Sequence, residues 1–168
     1  MTDAHRRYLV IEQGVGAGIV NFVLNAVIAW LMFRSLDQVP LWGQSSIAGD
    51  TIGTTFFLPF LSTLIVTPLA RQQIRNGRLP AVDWDCRASA LRRLPRRTFV
   101  RGLALGLAGV LLVAPPSLYV LNAVHLEQLA FWPFIVFKAT FAALLGAAVT
   151  PFIARRALED MSGAVLTG

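Results

Sequence analysis

Residues 52–71 read IGTTFFLPFLSTLIVTPLAR, and residues 131–155 read FWPFIVFKATFAALLGAAVTPFIAR. Both are apolar runs that close on Val-Thr-Pro followed by arginine: Val66-Thr67-Pro68 leading to Arg71, and Val149-Thr150-Pro151 leading to Arg155. A run of about 20 apolar residues at 1.5 Å rise matches the hydrocarbon thickness of a bilayer. Each run is preceded by another of similar length. The chain therefore reads as four membrane spans, at about 8–33, 52–70, 100–124 and 131–154, with a basic loop at 71–99.

Four spans in one 168-residue chain leave room for a single membrane domain, and composition agrees. Hydrophobic residues make up 55% and charged residues only 14%, where soluble domains carry about 25% charge. The first span is long for a signal-peptide core and lacks a clear small-residue cleavage site. A transmembrane barrel would show more and shorter alternating segments, so helices satisfy the backbone. The expected fold class is an all-α integral membrane protein.

Orientation follows from the arginines. Thirteen of the fifteen basic residues precede span one, lie between spans two and three, or follow span four; Arg34 and Lys138 are the exceptions. The positive-inside rule then puts both termini and the 71–99 loop, with Cys86, in the cytoplasm. Asp37, Asp50, Glu127, Trp42 and Trp132 fall on the outer side. The composition, rich in Arg, Ala, Gly and Leu, suits a GC-rich bacterial genome and an inner (plasma) membrane.

The duplicated Val-Thr-Pro exits suggest a tandem two-helix repeat. Both halves start and end on the cytoplasmic side, so their expected relation is an axis along the membrane normal. Aligned at a shift of 88, Gly14, Gly18, Asn21 and Asn25 of span one match Gly102, Gly106, Gly109 and Val113 of span three. Small residues at four-residue spacing let helices approach closely, which predicts that spans one and three pack against each other, centrally, or against another subunit. Asn21 and Asn25 sit near mid-membrane, where amides serve as interhelical glue or line a polar path.

Prolines and charges mark further places of interest. Pro115-Pro116 predicts a break in span three, and Pro59 a milder disturbance in span two, with Ser117, Ser62 and Thr63 as partners for released carbonyls. Lys138 is expected to snorkel to the outer interface or to pair with Asp50, which is followed by Thr51, Thr54 and Thr55. Asp50, Thr54, Thr55 and Lys138, with Asn21 and Asn25, are the candidate intramembrane site. At the cytoplasmic end Glu12 and Arg101 are the expected ion pair, with proton coupling as the alternative role for Glu12.

Between Arg71 and Arg101 nine arginines face only Asp83 and Asp85. Arg92, Arg93, Arg96 and Arg97 are expected to contact anionic lipid head groups of the bilayer. Trp84 and Phe99 alone are too little for nucleic-acid binding. One cysteine and two separated histidines offer no metal set and no cofactor ligation, and no catalytic nucleophile with its base is visible, so an enzyme is not expected.

The Pro-x-x-Arg and Pro-x-x-x-Arg exits, over Phe56 to Arg71 and Phe134 to Arg155, resemble small uncharacterised bacterial membrane proteins built from one two-helix unit. That resemblance implies no activity. Two functions fit: a small oligomeric transporter or channel, or a non-catalytic accessory subunit of a membrane complex. The expected partners are copies of the chain or the other members of such a complex.

Overall fold

The computed structural model describes residues 3–79, 94–95 and 97–165, with side chains through Met161. Arg92, Arg93, Arg96, Cys86 and both chain ends fall outside these residues. Arg97 is exposed and extended, immediately before a helix.

The protein is mostly helical, and four of its helical stretches are long and apolar enough to cross a membrane: Asp3–Phe33, Ile47–Arg75, Thr98–Ala123 and Phe131–Met161. The first comprises α1 (Asp3–Arg7), a π-helical segment (Tyr8–Gly16) and α2 (Ala17–Phe33). The second is α3 (Ile47–Arg75). The third divides into α4 (Thr98–Leu112) and α5 (Ala114–Ala123), and the fourth is α6 (Phe131–Val165). Large apolar side chains such as Ile19, Met32, Leu111 and Leu144 point outward. Water would solvate such a surface poorly; lipid would not.

The expected break in span three occurs at Val113, and Pro115 and Pro116 fall in the first turn of α5. There their missing N–H groups cost nothing, because first-turn donors have no intrahelical partner. At Pro59 α3 continues unbroken. The Thr63 hydroxyl donates to the Pro59 carbonyl at 2.7 Å, and that of Ser117 to the Val113 carbonyl at 2.7 Å. α3 ends at Asn76 and Gly77, the glycine at φ +68°, where a side chain would be strained.

Two features depart from an all-α chain with central first and third spans. β1 (Gln38–Pro40) and β2 (Gln128–Ala130) form an antiparallel pair, with Val39 opposite Leu129. This short ladder joins the connection between the first and second spans to that between the third and fourth. Val39 and Leu41 are buried beside Phe33, Ile47 and Phe134, and it is this burial that selects extended backbone in segments with no helical period.

The glycine stripes, moreover, do not meet each other. Span one lies on α6, span three on α3, and α3 on α6, so the second and fourth spans are central. Gly14 faces Pro151 and Ala147; Gly18 faces Ala143 and Ala147. Gly102 and Gly106 receive the rings of Phe60 and Phe56, which stack 5.8 Å apart. The stripes are buried as expected, against other partners, because a small-residue stripe specifies close approach and not the identity of what approaches.

Gly109 shows how tight that approach is. Proline at position 59 leaves the Thr55 carbonyl without its usual helical donor, and a Cβ at Gly109 would overlap that same oxygen. The hydrogen that replaces it makes a Cα–H···O contact. Gly109→Ala should therefore destabilise the protein by about 1–3 kcal/mol, whereas Gly53→Ala, with nothing within 4 Å, should be neutral or gain up to about 1 kcal/mol of helix propensity. Thermal unfolding of the two variants in detergent reads the difference; equal shifts would refute the close-contact account.

Candidate functional site

α2 and α3 both lie on α6 and scarcely touch each other. Between them runs a groove of about 970 Å³, floored by Lys138 and Thr150 of α6. Its α2 wall carries Ala17, Asn21, Leu24, Asn25, Ile28 and Met32, spaced three and four along one helical face, and the π segment extends that wall through Glu12, Gln13 and Gly16. The α3 wall carries Ser46, Gly49, Asp50, Gly53, Thr54, Phe57, Leu61 and Ile65. From Glu12 to Met32 the groove covers roughly 30 Å at helical rise, about the thickness of a hydrocarbon core.

Five of the six residues expected in an intramembrane site line this groove: Asn21, Asn25, Asp50, Thr54 and Lys138. Thr55 does not. One residue further round α3, it is fully buried toward Gly109, and its hydroxyl donates to the Ile52 carbonyl at 2.9 Å.

Lys138 does not snorkel. Its Nζ donates to Asp50 Oδ1, and the two side chains are 4% and 9% exposed. Asp50 sits in the first turn of α3, whose N-cap Ser46 accepts from Gly49 N at 3.2 Å. A carboxylate is favoured at that end of a helix by the unpaired N–H groups and the dipole. Lys138 thus has a fixed anion at its own depth, and stretching toward head groups would leave both charges uncompensated.

The asparagines are held within their own helix. Asn21 Nδ2 donates to the Ala17 carbonyl at 2.8 Å and Asn25 Nδ2 to the Asn21 carbonyl at 3.0 Å. These bonds satisfy amide nitrogens without joining two helices. Asn21 also lies over Gly146, where any Cβ would collide with the amide. Gly146 is what lets α2 bring this amide down to α6.

At the opposite end the expected Glu12–Arg101 pair is replaced. Arg101 Nη1 donates to Asp160 Oδ2 at 2.8 Å, while Glu12 is exposed at the mouth of the groove. Arg156 reaches Asp160 Oδ1 at 2.6 Å, and Arg71 lies 3.5 Å from Oδ2. Asp160 competes successfully because α6 continues past Arg155 and carries it over the ends of α3 and α4. The four-residue spacing of Arg156 and Asp160 was a legible sign of that continuation.

The buried pair makes a sharp expectation. Lys138→Met alone leaves an unpaired buried carboxylate and should cost about 3–5 kcal/mol, whereas Lys138→Met with Asp50→Leu should recover most of the loss. A double-mutant cycle on thermal unfolding measures this, and additive losses would show that the two side chains do not interact.

Comparison with protein-family models, with curated proteins and with solved structures finds no match for this chain.

Proposed function

We propose that this chain is a small transporter of the bacterial inner membrane, with both termini and the 71–99 loop in the cytoplasm, and that the groove between α2 and α3 is its substrate path. The observation that carries the reading is the gathering of Asn21, Asn25, Asp50, Thr54 and Lys138 along one groove of bilayer length. Most of the other lining side chains are apolar. A solute with a polar group and an apolar body fits such a surface: the polar group follows the amides and the ion pair, and the body lies on Leu24, Phe57 and Leu61. The path lies within one chain, so it does not require a homo-oligomer.

A duplicated two-helix unit accounts for having one groove. Gly18 meets the Ala143 carbonyl and Gly102 meets the Phe60 carbonyl; these carbonyls lie 83 residues apart, the same offset as the Val-Thr-Pro motifs. In that register the first helix of each half packs on the second helix of the other, and Gly18 corresponds to Gly102, a shift of 84 in place of the 88 read from the glycine stripes. Thr54 and Leu58 correspond to Phe137 and Phe141, which stack at 6.1 Å and pack toward Leu121 and Val113. The first half thus carries Thr54 and Leu58 where the second carries two phenylalanines, and Gly49, Gly53 and Thr54 line the groove between α2 and α3.

The competing reading, an accessory subunit whose groove seats a helix of another protein, is favoured by the length of the groove. Proteoliposomes separate the two. With a nitrobenzoxadiazole-labelled phospholipid and tetraphenylphosphonium as probes, the protein should speed the movement of at least one of them. Gly53→Trp, which builds bulk into open space, should abolish that movement without lowering the unfolding temperature. No movement above protein-free vesicles would remove the transport reading.

A further inference from the structure

Arg71, Arg101 and Arg156 come from three different helices, α3, α4 and α6, and converge on one carboxylate, Asp160. Among the described residues, three guanidinium groups against one carboxylate leave the cluster two positive charges in excess. Glu159, the neighbouring acid, accepts from Arg155 at 3.1 Å on the adjoining face of α6. The Arg101 side chain is 0% exposed and that of Arg156 is 6% exposed, so water does not compensate the excess.

Guanidinium donors remain unused inside the cluster. Arg101 Nε and Nη2, Arg156 Nε and Arg71 Nε are all buried without a hydrogen-bond partner. Buried donors are almost always satisfied, and a charged one left unpaired is costly. The groups that best satisfy several guanidinium forks at once are oxyanions, which accept bidentate bonds from more than one direction. Arg101 also lies in the first turns of α4, where the helix dipole favours a negative charge. The side chain of Arg71 is 35% exposed and is the open edge of the cluster.

We propose that Arg71, Arg101 and Arg156, arranged around Asp160, form a binding site for a phosphate-type oxyanion at the basic end of the helices. The oxyanion completes the coordination that Asp160 supplies only in part and locks the ends of α3, α4 and α6 together. It enters past Arg71. The site is distinct from the groove between α2 and α3 and does not depend on what that groove carries. It is also distinct from a diffuse attraction between the 71–99 loop and lipid, because it is made by helical residues held in one geometry.

Two sources supply such a group, a lipid head group and free phosphate, and binding to the full chain in an uncharged detergent distinguishes them. Phosphatidylglycerol, phosphatidylcholine and inorganic phosphate are added separately, with thermal unfolding and native mass spectrometry as readouts. Phosphatidylglycerol should raise the unfolding temperature by several degrees, and phosphatidylcholine, which has no net charge, should not. Stabilisation by inorganic phosphate as well identifies the free oxyanion as sufficient; stabilisation by the lipid alone identifies the head group.

Arg71→Gln, at the open edge, should weaken binding at least tenfold while leaving the ligand-free unfolding temperature unchanged. Arg156→Gln should weaken it similarly. The combined Arg92→Gln, Arg93→Gln, Arg96→Gln and Arg97→Gln variant should bind as the parent does. The proposal is overturned if neither phosphatidylglycerol nor phosphate binds better than phosphatidylcholine. It is equally overturned if Arg71→Gln and Arg156→Gln bind as tightly as the parent, or if binding is lost only in the loop variant.

Discussion

Close backbone approach is the constraint on which this structure depends. Four helices are long and apolar enough to cross a membrane, and in lipid no hydrophobic force would drive their association, so packing contacts must hold such a bundle together. Gly18 and Gly146 bring α2 onto α6, and Gly102, Gly106 and Gly109 bring α4 onto α3. At Gly109 the fit tolerates no Cβ at all, because it meets a carbonyl that Pro59 has released. A proline in one helix and a glycine in its neighbour thus act as one contact. Once these two pairs are made, α3 and α6 must lie at the centre, since each carries one outer helix and the two also pack on each other.

The central position of α3 and α6 explains where the charges go. Lys138 and Asp50 lie on the two central helices and meet at the groove, away from the apolar outer surface. Arg101, on an outer helix, reaches inward at the opposite end to Asp160 on α6. Placing an ionised group inside a low-dielectric region costs several kcal/mol unless it is paired and hydrogen-bonded. Asp50 answers that cost for one cation; Asp160 is shared among three. The Asp160 cluster is therefore the less compensated of the two.

Much of this was legible in the residues. Four apolar runs located the long helices to within several residues at most ends, and Pro115-Pro116 located the break in the third. The possible meeting of Lys138 with Asp50 could be read from their similar depth, although snorkelling was the default. What could not be read was partnership. Gly14 and Gly18 look the same whether they face Gly102 or Ala143, because a stripe of small residues encodes distance and not identity. Arg101 was assigned to Glu12 because the two lie at the same end of spans one and three and Arg101 aligns with Gln13; only the continuation of α6 past 154 brings in Asp160. β1 and β2 were missed because three-residue strands carry too little alternation to register as a pattern.

The groove follows from where the outer contacts are strong and where they are missing. At one end Ala29 and Phe33 of α2, Val39 of β1, Ile47 of α3 and Phe134 of α6 form a single apolar cluster, with the Phe33 and Phe134 rings 4.7 Å apart. At the other, Tyr8 and Leu9 of the π segment join Ala70 of α3 and Leu158 of α6. Span one and α3 are thus tied to α6 at both ends, and between the ties the α3 wall is at its smallest at Gly49, Gly53 and Thr54. Bulk at Gly53, which has nothing within 4 Å of a Cβ, would fill the gap. An opening fixed at both ends keeps its width without a contact across its middle, and the polar side chains of its α2 and α3 walls, Asn21, Asn25, Asp50 and Thr54, stay on one groove.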